Sequence, residues 1–179
     1  MDRADLVALL RDGVSAKGGR WADLGAGDGA FTFALADLIG LGAQITAIDR
    51  DSGALKRLAS VPARAQIETV VADFTHPLNL SALDGVVMAN SLHFVRDKPP
   101  VLAAVRDLLR PGGTLIVVEY ETDTGNPWVP HPFSFRTWEG MAASAGFEQV
   151  RLLYRHPSRH FGSMYSAAGI KPLASCSVT

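Results

Sequence analysis

Three glycines at alternate positions sit inside WADLGAGDGAF, the segment from Trp21 to Phe31. Glycine loses more conformational entropy on folding than any other residue, so Gly25, Gly27 and Gly29 mark a place that requires bare backbone. Trp21–Leu24 reads as a short buried strand. Ala30–Leu41, AFTFALADLIGL, reads as a helix that Gly40 and Gly42 stop. A strand that passes through a glycine bend into a helix is the opening unit of an open α/β sheet. At such a bend, backbone N–H groups approach a ligand without a Cβ in the way, and the helix N-terminus favours a negative group.

The same alternation continues along the chain. Asp5–Asp12 carries Leu6, Leu9 and Leu10 at helical spacing. QITAID, from Gln44 to Asp49, is a strand of β-branched residues ending in an acid. Asp51 or Ser52 caps the helix SGALKRLAS. QIETVVA, from Gln66 to Ala72, is a third strand closing at Asp73. After a brief connection at 81–83, DGVVMA (84–89) is a fourth strand ending at Asn90. Pro99 and Pro100 open the helix VLAAVRDLLR, because a helix's first turn has no use for their missing N–H groups. Pro111–Gly113 predicts a sharp turn, and TLIVVEY (114–120) a fifth strand. Apolar strands alternating with helices over short connections require a parallel sheet covered on both faces.

Beyond Tyr120 the pattern changes. Residues 121–136, ETDTGNPWVPHPFSFR, have no periodicity and form a long loop, a kind of segment that commonly carries function. The helix TWEGMAASAG follows, with Thr137 as its cap. Strands at 147–155 and 161–168 are joined only by HPSRH, too short for a parallel crossover, so they are antiparallel. Residues 171–179 read as a flexible tail. The fold class is therefore α/β: one domain, a doubly wound seven-stranded sheet, mainly parallel, with an antiparallel last strand.

Composition removes several functions. Hydrophobic residues make up 47% of the 179 and charged residues 20%, which is globular and not disordered. A net charge of −1 supplies no basic surface for nucleic acid. The single cysteine, Cys176, can build neither a disulfide nor a thiolate zinc site. His156 and His160 flank a turn without a third ligand, so no metal is expected. The opening MDRADLVALLRD mixes charges with apolar residues and does not read as a signal peptide, and no stretch is long enough to cross a bilayer. The expectation is a cytoplasmic protein without membrane or nucleic-acid partners.

The glycine segment reads G-A-G-D-G, whereas dinucleotide binding calls for G-x-G-x-x-G. Asp28 in the bend would repel a diphosphate. It suits a ligand with a cationic part, such as S-adenosylmethionine. Asp49, twenty residues after Gly29 at a strand end, can accept both ribose hydroxyls. Asp73 can accept from an adenine amino group while Phe74 stacks on the ring. Asp23, Asp49 and Asp73 thus stand on three successive strands at one sheet edge.

The order of these motifs resembles the class I S-adenosylmethionine-dependent methyltransferases, with their Rossmann-like fold. DLGAGDG is similar to their first motif, AIDRD to their ribose-acid segment, VADF to their adenine segment and LLRPGGTLIVVEY to their fifth-strand segment. SLHFV resembles the small-molecule branch that includes ubiquinone- and menaquinone-pathway enzymes. The resemblance implies S-adenosylmethionine as cofactor and S-adenosylhomocysteine as product. It implies that the backbone at Gly25, Ala26 and Gly27 holds the methionine part, Asp49 the ribose, and Asp73 with Phe74 the adenine, that Asn90 lies beside the sulfonium, and that Asp23 and Arg50 also bind the cofactor. Residues 20–120 would then be the cofactor-binding half, 1–19 a short N-terminal helical segment, 121–136 a substrate loop, and 137–170 a C-terminal helix and two strands.

The implied reaction is in-line transfer of a methyl group to a small-molecule acceptor. His93, after the fourth strand, is the candidate catalytic base. Its alternative role is a packed histidine that holds the loop through a hydrogen bond. Glu119 or Glu121 would orient a substrate or sit solvated. Tyr120, Trp128 and His131 are the candidate substrate-binding residues, the aromatic ones serving either as a pocket or as pins to the core. Arg151, Arg155 and Arg159 form either a positive face for an acidic substrate or a solvated strand face. Few residues precede the first strand, so the site is open, closed by 121–136, or closed by a second subunit in a homodimer. A binding module without catalysis and a nicotinamide dehydrogenase are the alternative readings.

Overall fold

Apolar runs of β-branched residues become buried strands, and the glycines and prolines between them become the bends. The computed structural model describes residues 1–158 and 161–174. Its elements run α1 (Arg3–Arg11), β1 (Arg20–Leu24), α2 (Ala30–Ile39), β2 (Gln44–Asp49), α3 (Ser52–Ala59), β3 (Gln66–Val71), β4 (Leu83–Ala89), a 3-10 turn (Leu92–Phe94), α4 (Lys98–Leu108), β5 (Leu109–Tyr120), α5 (Phe135–Ser144), β6 (Glu148–Ser158) and β7 (Gly162–Ile170).

One seven-stranded sheet has the order β3-β2-β1-β4-β5-β7-β6. The first five strands are parallel, and β7 lies antiparallel to both β5 and β6. The register sets Leu24 opposite Ile48, Asp49 opposite Val71, and Ala89 opposite Val118, so the carboxyl ends of β1–β5 share one edge. The chain winds outward from β1 to β3, then returns to place β4 on the other side of β1. That reversal opens a crevice between the ends of β1 and β4, where ligands of such sheets collect.

Both sheet faces are covered. Leu9, Leu10, Leu35 and Ile39 of α1 and α2 pack on Trp21, Ile116 and Val118. On the other face, Leu102, Trp138 and Ala142 of α4 and α5 pack on Leu24, Met88, Leu115 and Tyr165. Helix α2 buries seven of its ten residues, as a helix apolar on most sides must.

Several boundaries differ from the expectation. The Pro111–Gly113 turn does not precede β5 but interrupts it: Leu83 pairs with Leu109, and the ladder resumes at Gly85 and Thr114. Gly112, at φ +75°, makes that bulge. Lys171, read as the start of a flexible tail, is stitched to the bulge, because β7 delivers it opposite β5. Its N–H donates to the Gly113 carbonyl and its carbonyl accepts from the Gly112 N–H. Helix α5 begins at Phe135, shortening the loop, and its cap is Ser134, not Thr137. The extended backbone at Ser134 lets its hydroxyl accept from the Thr137 N–H, one turn inside the helix. Helix α1 starts before Asp5 because Asp2 and Asp5 form a reciprocal capping box. Asp51 caps α3. Arg159, His160 and Cys176 lie outside the described residues.

Candidate functional site

The site begins at the glycine bend. Gly25 is held at φ +84°, and a Cβ there would stand 2.4 Å from the Ser91 Cβ. The N–H groups of Gly25 and Ala26 both donate to the Ile48 carbonyl, and the Ser91 hydroxyl donates to the Leu24 carbonyl. Gly25 is therefore bare because β4's end packs against it. Gly27 is bare for another reason: it sits at φ +52° in open space, and its N–H donates to Asp49 Oδ2 at 2.8 Å. Gly29, at φ +88°, starts α2 where a Cβ would strike Leu58.

Three acids stand at the ends of β1, β2 and just after β3. Asp49 accepts the Gly27 N–H on one carboxylate oxygen and the Asp51 N–H, at 2.8 Å, on the other. A carboxylate has about four acceptor positions, so each oxygen keeps capacity for a hydroxyl donor. Asp73 accepts the Thr75 N–H and hydroxyl, which hold its carboxyl below the usual range. Asp23 is sealed from solvent and accepts the Thr32 hydroxyl at 2.6 Å. Burial pushes its carboxyl up to about 6, opposed by the Thr32 bond and reinforced by the charge of Asp49. Asp28 departs from the expectation that its charge faces a ligand. The Arg57 guanidinium of α3 takes it up, with contacts of 2.9 and 2.7 Å.

A cavity of about 430 Å³ opens between these strand ends. Gly25, Asp49, Arg50, Asp73, Phe74 and Asn90 line it together with Ser91, Phe94 and Arg96. A neighbouring recess is lined by Asp23, Gly25, Ala26 and Asn90, under Leu6 and Met1. Asn90 therefore borders both. It sits at φ +53°, a conformation few residues other than glycine and asparagine adopt. Its N–H donates to the Val118 carbonyl, but its buried side-chain oxygen Oδ1 has no partner among the described residues. An unpaired buried acceptor costs about 1–3 kcal/mol, which a ligand's donor or positive centre would recover.

Across the crevice the residues come from β4, β5 and the loop behind them. Glu119 is fully buried; its Oε1 accepts the N–H groups of Leu92 and His93, and its Oε2 lies 2.6 Å from His93 Nδ1. His93 is thus a packed histidine tied to an acid, and it also lines a recess of about 380 Å³ with Asn90, Phe94, Tyr120, Trp128, Val129 and Phe161. The loop aromatics divide between the two expected roles. Trp128 is 81% exposed at the recess, whereas Phe133 is 1% exposed in the core.

His131 does not line this recess. Its backbone is an anchor: the N–H donates to the His93 carbonyl, and the carbonyl accepts from Lys98 Nζ. Glu121 neither faces the recess nor sits solvated, for it accepts the Phe135 N–H and the Arg155 guanidinium. Arg151 donates to the Asp12 carbonyl, so neither of these two arginines is an isolated surface charge. His156 stands 3.8 Å from Asp5.

Three contributions to the site's geometry are not legible in the sequence: Ser91 as the reason for Gly25, Glu119 as the partner of His93, and Lys98. The buried Lys98 ammonium donates to the carbonyls of Val95 and His131, clamping the loop onto α4. Burial holds its pKa below the ordinary value, while the Glu119 charge opposes that shift. The parallel register was the available signal for Glu119. Ala89 faces Val118, so the residues just beyond them, Asn90 and Glu119, must be neighbours.

A doubly wound sheet in this strand order, with a glycine bend at the switch point and acids at the ends of β1 and β2, defines the class I S-adenosylmethionine-dependent methyltransferases. The family model described as a methyltransferase domain matches residues 22–117, and the chain belongs to that family. An uncharacterized methyltransferase of Mycobacterium tuberculosis is 37% identical over 101 residues, covering 56% of this chain and 50% of that protein. The ubiquinone/menaquinone biosynthesis C-methyltransferase UbiE of Pseudomonas fluorescens is 29% identical over 155 residues, covering 82% of this chain and 60% of that one. The chain thus spans only half to three-fifths of the length of these two relatives.

Among solved structures, a SAM-dependent methyltransferase of Methanosarcina mazei superposes with a TM-score of 0.72 at 18% identity, over 92% of this chain and 97% of that one. A phosphoethanolamine N-methyltransferase of Haemonchus contortus, bound to phosphomonomethylethanolamine and S-adenosylhomocysteine, gives 0.75 at 14% identity, over 94% and 52%. The cofactor of the chain is S-adenosylmethionine, and the orphaned Asn90 oxygen between the acid-rimmed cavity and the Asp23 recess fits a ligand that carries positive charge. No helix among the described residues is long and apolar enough to cross a membrane.

Proposed function

We propose that the chain moves a methyl group from S-adenosylmethionine to a small-molecule acceptor seated among Phe94, Tyr120, Trp128 and Phe161. One observation carries the reading: Asn90 borders the acid-rimmed cavity, the Asp23 recess and the aromatic recess at once. Asp49 would accept the ribose diol, with Arg50 beside it. Asp73 and Phe74 would hold the adenine, and the backbone of Gly25–Gly27 with Asp23 the amino-acid part. Bound cofactor supplies an electrophilic methyl carbon and a neutral thioether leaving group. The protein's share is to set acceptor and methyl in line at near-contact distance, with Asn90 between the two chambers.

Titration calorimetry tests the assignment. S-adenosylmethionine and S-adenosylhomocysteine should bind, and NAD should not. Asp49→Ala should weaken both cofactor forms roughly a hundredfold, since two hydrogen bonds to a carboxylate contribute about 1.5 kcal/mol each. Unchanged affinity in that variant sinks the ribose assignment. Transfer of labelled methyl to a metabolite extract separates an enzyme from a module that only binds.

A further inference from the structure

We infer that Glu119 is a positioning residue that fixes His93 with its proton on Nδ1, so that Nε2 removes a proton from a hydroxylated aromatic acceptor. The inference rests on the methyltransferase reading above and adds to it the acceptor's chemical class.

Geometry sets the pairing. Glu119 Oε1 already accepts two backbone N–H groups, at 3.1 and 3.2 Å, which leaves Oε2 as the oxygen that meets His93. Its Oε2 lies 2.6 Å from Nδ1, and with Glu119 ionised Nδ1 is the donor of that short bond. The other titratable groups that feel Glu119 are Lys98, Tyr120 and Tyr165; of these only the Lys98 ammonium carries charge, and it is positive. With Nδ1 turned to Glu119, the opposite edge of the ring is the edge left for the recess that His93 lines. Nε2 then carries a lone pair there and has no hydrogen-bond partner among the described residues. A neutral imidazole whose far nitrogen is tied to a buried carboxylate is equipped to take up a proton. The imidazolium formed is balanced by Glu119.

The walls select the acceptor. The recess is bounded by aromatic rings and has no charged side chain in its lining; the polar groups are Asn90, Asn126, His93 and the Tyr120 hydroxyl. The Tyr120 and Phe161 ring centres are 4.8 Å apart, and those of His93 and Phe94 4.3 Å. Such walls suit a flat, uncharged ring and disfavour a sugar or an acid. A base beside that ring is needed when the nucleophile is a hydroxyl, which is a poor nucleophile until its proton leaves. The hydroxyl proton passes to Nε2, and the oxygen's electron pair forms a bond to the methyl carbon. The carbon–sulfur bond breaks with its electron pair going to sulfur. An aryl methyl ether is formed, and His93 later returns its proton to water.

Two measurements on the full chain test this. Nitrogen NMR, with the His93 signals assigned through His93→Gln, should show Nδ1 protonated and Nε2 bare. In Glu119→Gln the new amide nitrogen can donate to Nδ1, while its oxygen still accepts from Leu92 and His93. The proton should therefore move to Nε2. A wild-type ring protonated on Nε2, or a tautomer indifferent to Glu119→Gln, overturns the proposal. The second measurement is labelled methyl transfer to 2-naphthol and to its thiol analogue, which ionises near neutral pH without help. Glu119→Gln and His93→Gln should lower kcat for the naphthol roughly a hundredfold. They should leave cofactor affinity and the thiol rate within a factor of three. Equal losses on both acceptors mean the pair only supports the loop. A chain that binds cofactor yet never methylates naphthol overturns the acceptor class, whereas a chain that binds no cofactor breaks the methyltransferase reading instead.

Discussion

The two sides of the crevice are built by opposite uses of a carboxylate. On β2 and just after β3, Asp49 and Asp73 remain partly open; each accepts an N–H of its own turn, from Asp51 and Thr75, and Asp49 accepts the Gly27 N–H as well. Their remaining acceptor capacity faces a cavity. On β5, Glu119 is closed off, and all its bonds go to residues on the far side of β4's end. One side presents its acids to the cavity. The other turns its acid inward to hold a histidine. The difference teaches that proximity to the site does not separate an acid open to the cavity from one spent on holding a side chain; burial and unspent acceptor capacity do.

The largest effect expected on the open side comes from its backbone. Gly25→Ala drives a Cβ to 2.4 Å from Ser91 at a positive φ of +84°. Backbone strain of about 1–2 kcal/mol and overpacking of about 1–3 kcal/mol add to roughly 2–5 kcal/mol. Thermal denaturation should fall by about 4–20 °C for a domain of this size. Gly27→Ala, in open space at φ +52°, meets only the backbone term and should cost about 1–2 kcal/mol. Equal losses at the two positions would mean that Ser91 does not shape the bend.

Asp23 belongs by position to the open side and by burial to the closed one, and pH distinguishes the two. Burial pushes its carboxyl up to about 6 in the folded chain, above the ordinary value of 3.8. The folded state therefore binds the proton more tightly than the unfolded chain. Asp23's contribution to stability is fullest below about pH 4 and is lost as pH rises through 6, by up to about 3 kcal/mol. Asp23→Asn keeps an acceptor for Thr32 and removes the titration. Urea denaturation from pH 4 to pH 8 should show wild type losing stability relative to the variant. Parallel curves would place Asp23 with the hydrated acids.

The same contrast decides what could be read from the sequence. β2 runs from Gln44 to Asp49 as its β-branched pattern predicts, because a parallel strand buried on both faces is a run of local choices. Six of the expected cofactor residues line one cavity, for they follow successive strand ends and the topology brings those ends together. Glu119 was legible only as an acid at a strand end. Its bond to His93 spans 26 residues and depends on the β4–β5 register. His131 looked like a polar handle, but a proline on either side and a buried Lys98 turn its peptide groups into the anchor. Asp28 looked like ligand chemistry until α3 brought Arg57 to it. What the sequence did not disclose is, in each case, a partner supplied by another element.

Trp128 and Val129 carry the comparison into the loop and give the smallest expected effect. The Asn126 side chain accepts the N–H groups of both residues, so the turn keeps its shape when either side chain is trimmed. Val129 is 6% exposed and Trp128 81% exposed, so trimming Trp128 removes little packing. Trp128→Ala should leave the denaturation midpoint within about 2 °C, as exposed substitutions do. If the aromatic recess seats the acceptor, the lost ring contact of about 0.5–1.5 kcal/mol raises the acceptor KM roughly two- to tenfold. Cofactor affinity and kcat should stay put, because Trp128 does not line the acid-rimmed cavity. Val129→Ala, one residue away, should reverse the pattern, lowering the midpoint through a lost core contact while KM moves less. A Trp128 variant whose KM is unchanged would show that the acceptor lies deeper, against Phe94 and Tyr120, and that the open ring is only a rim.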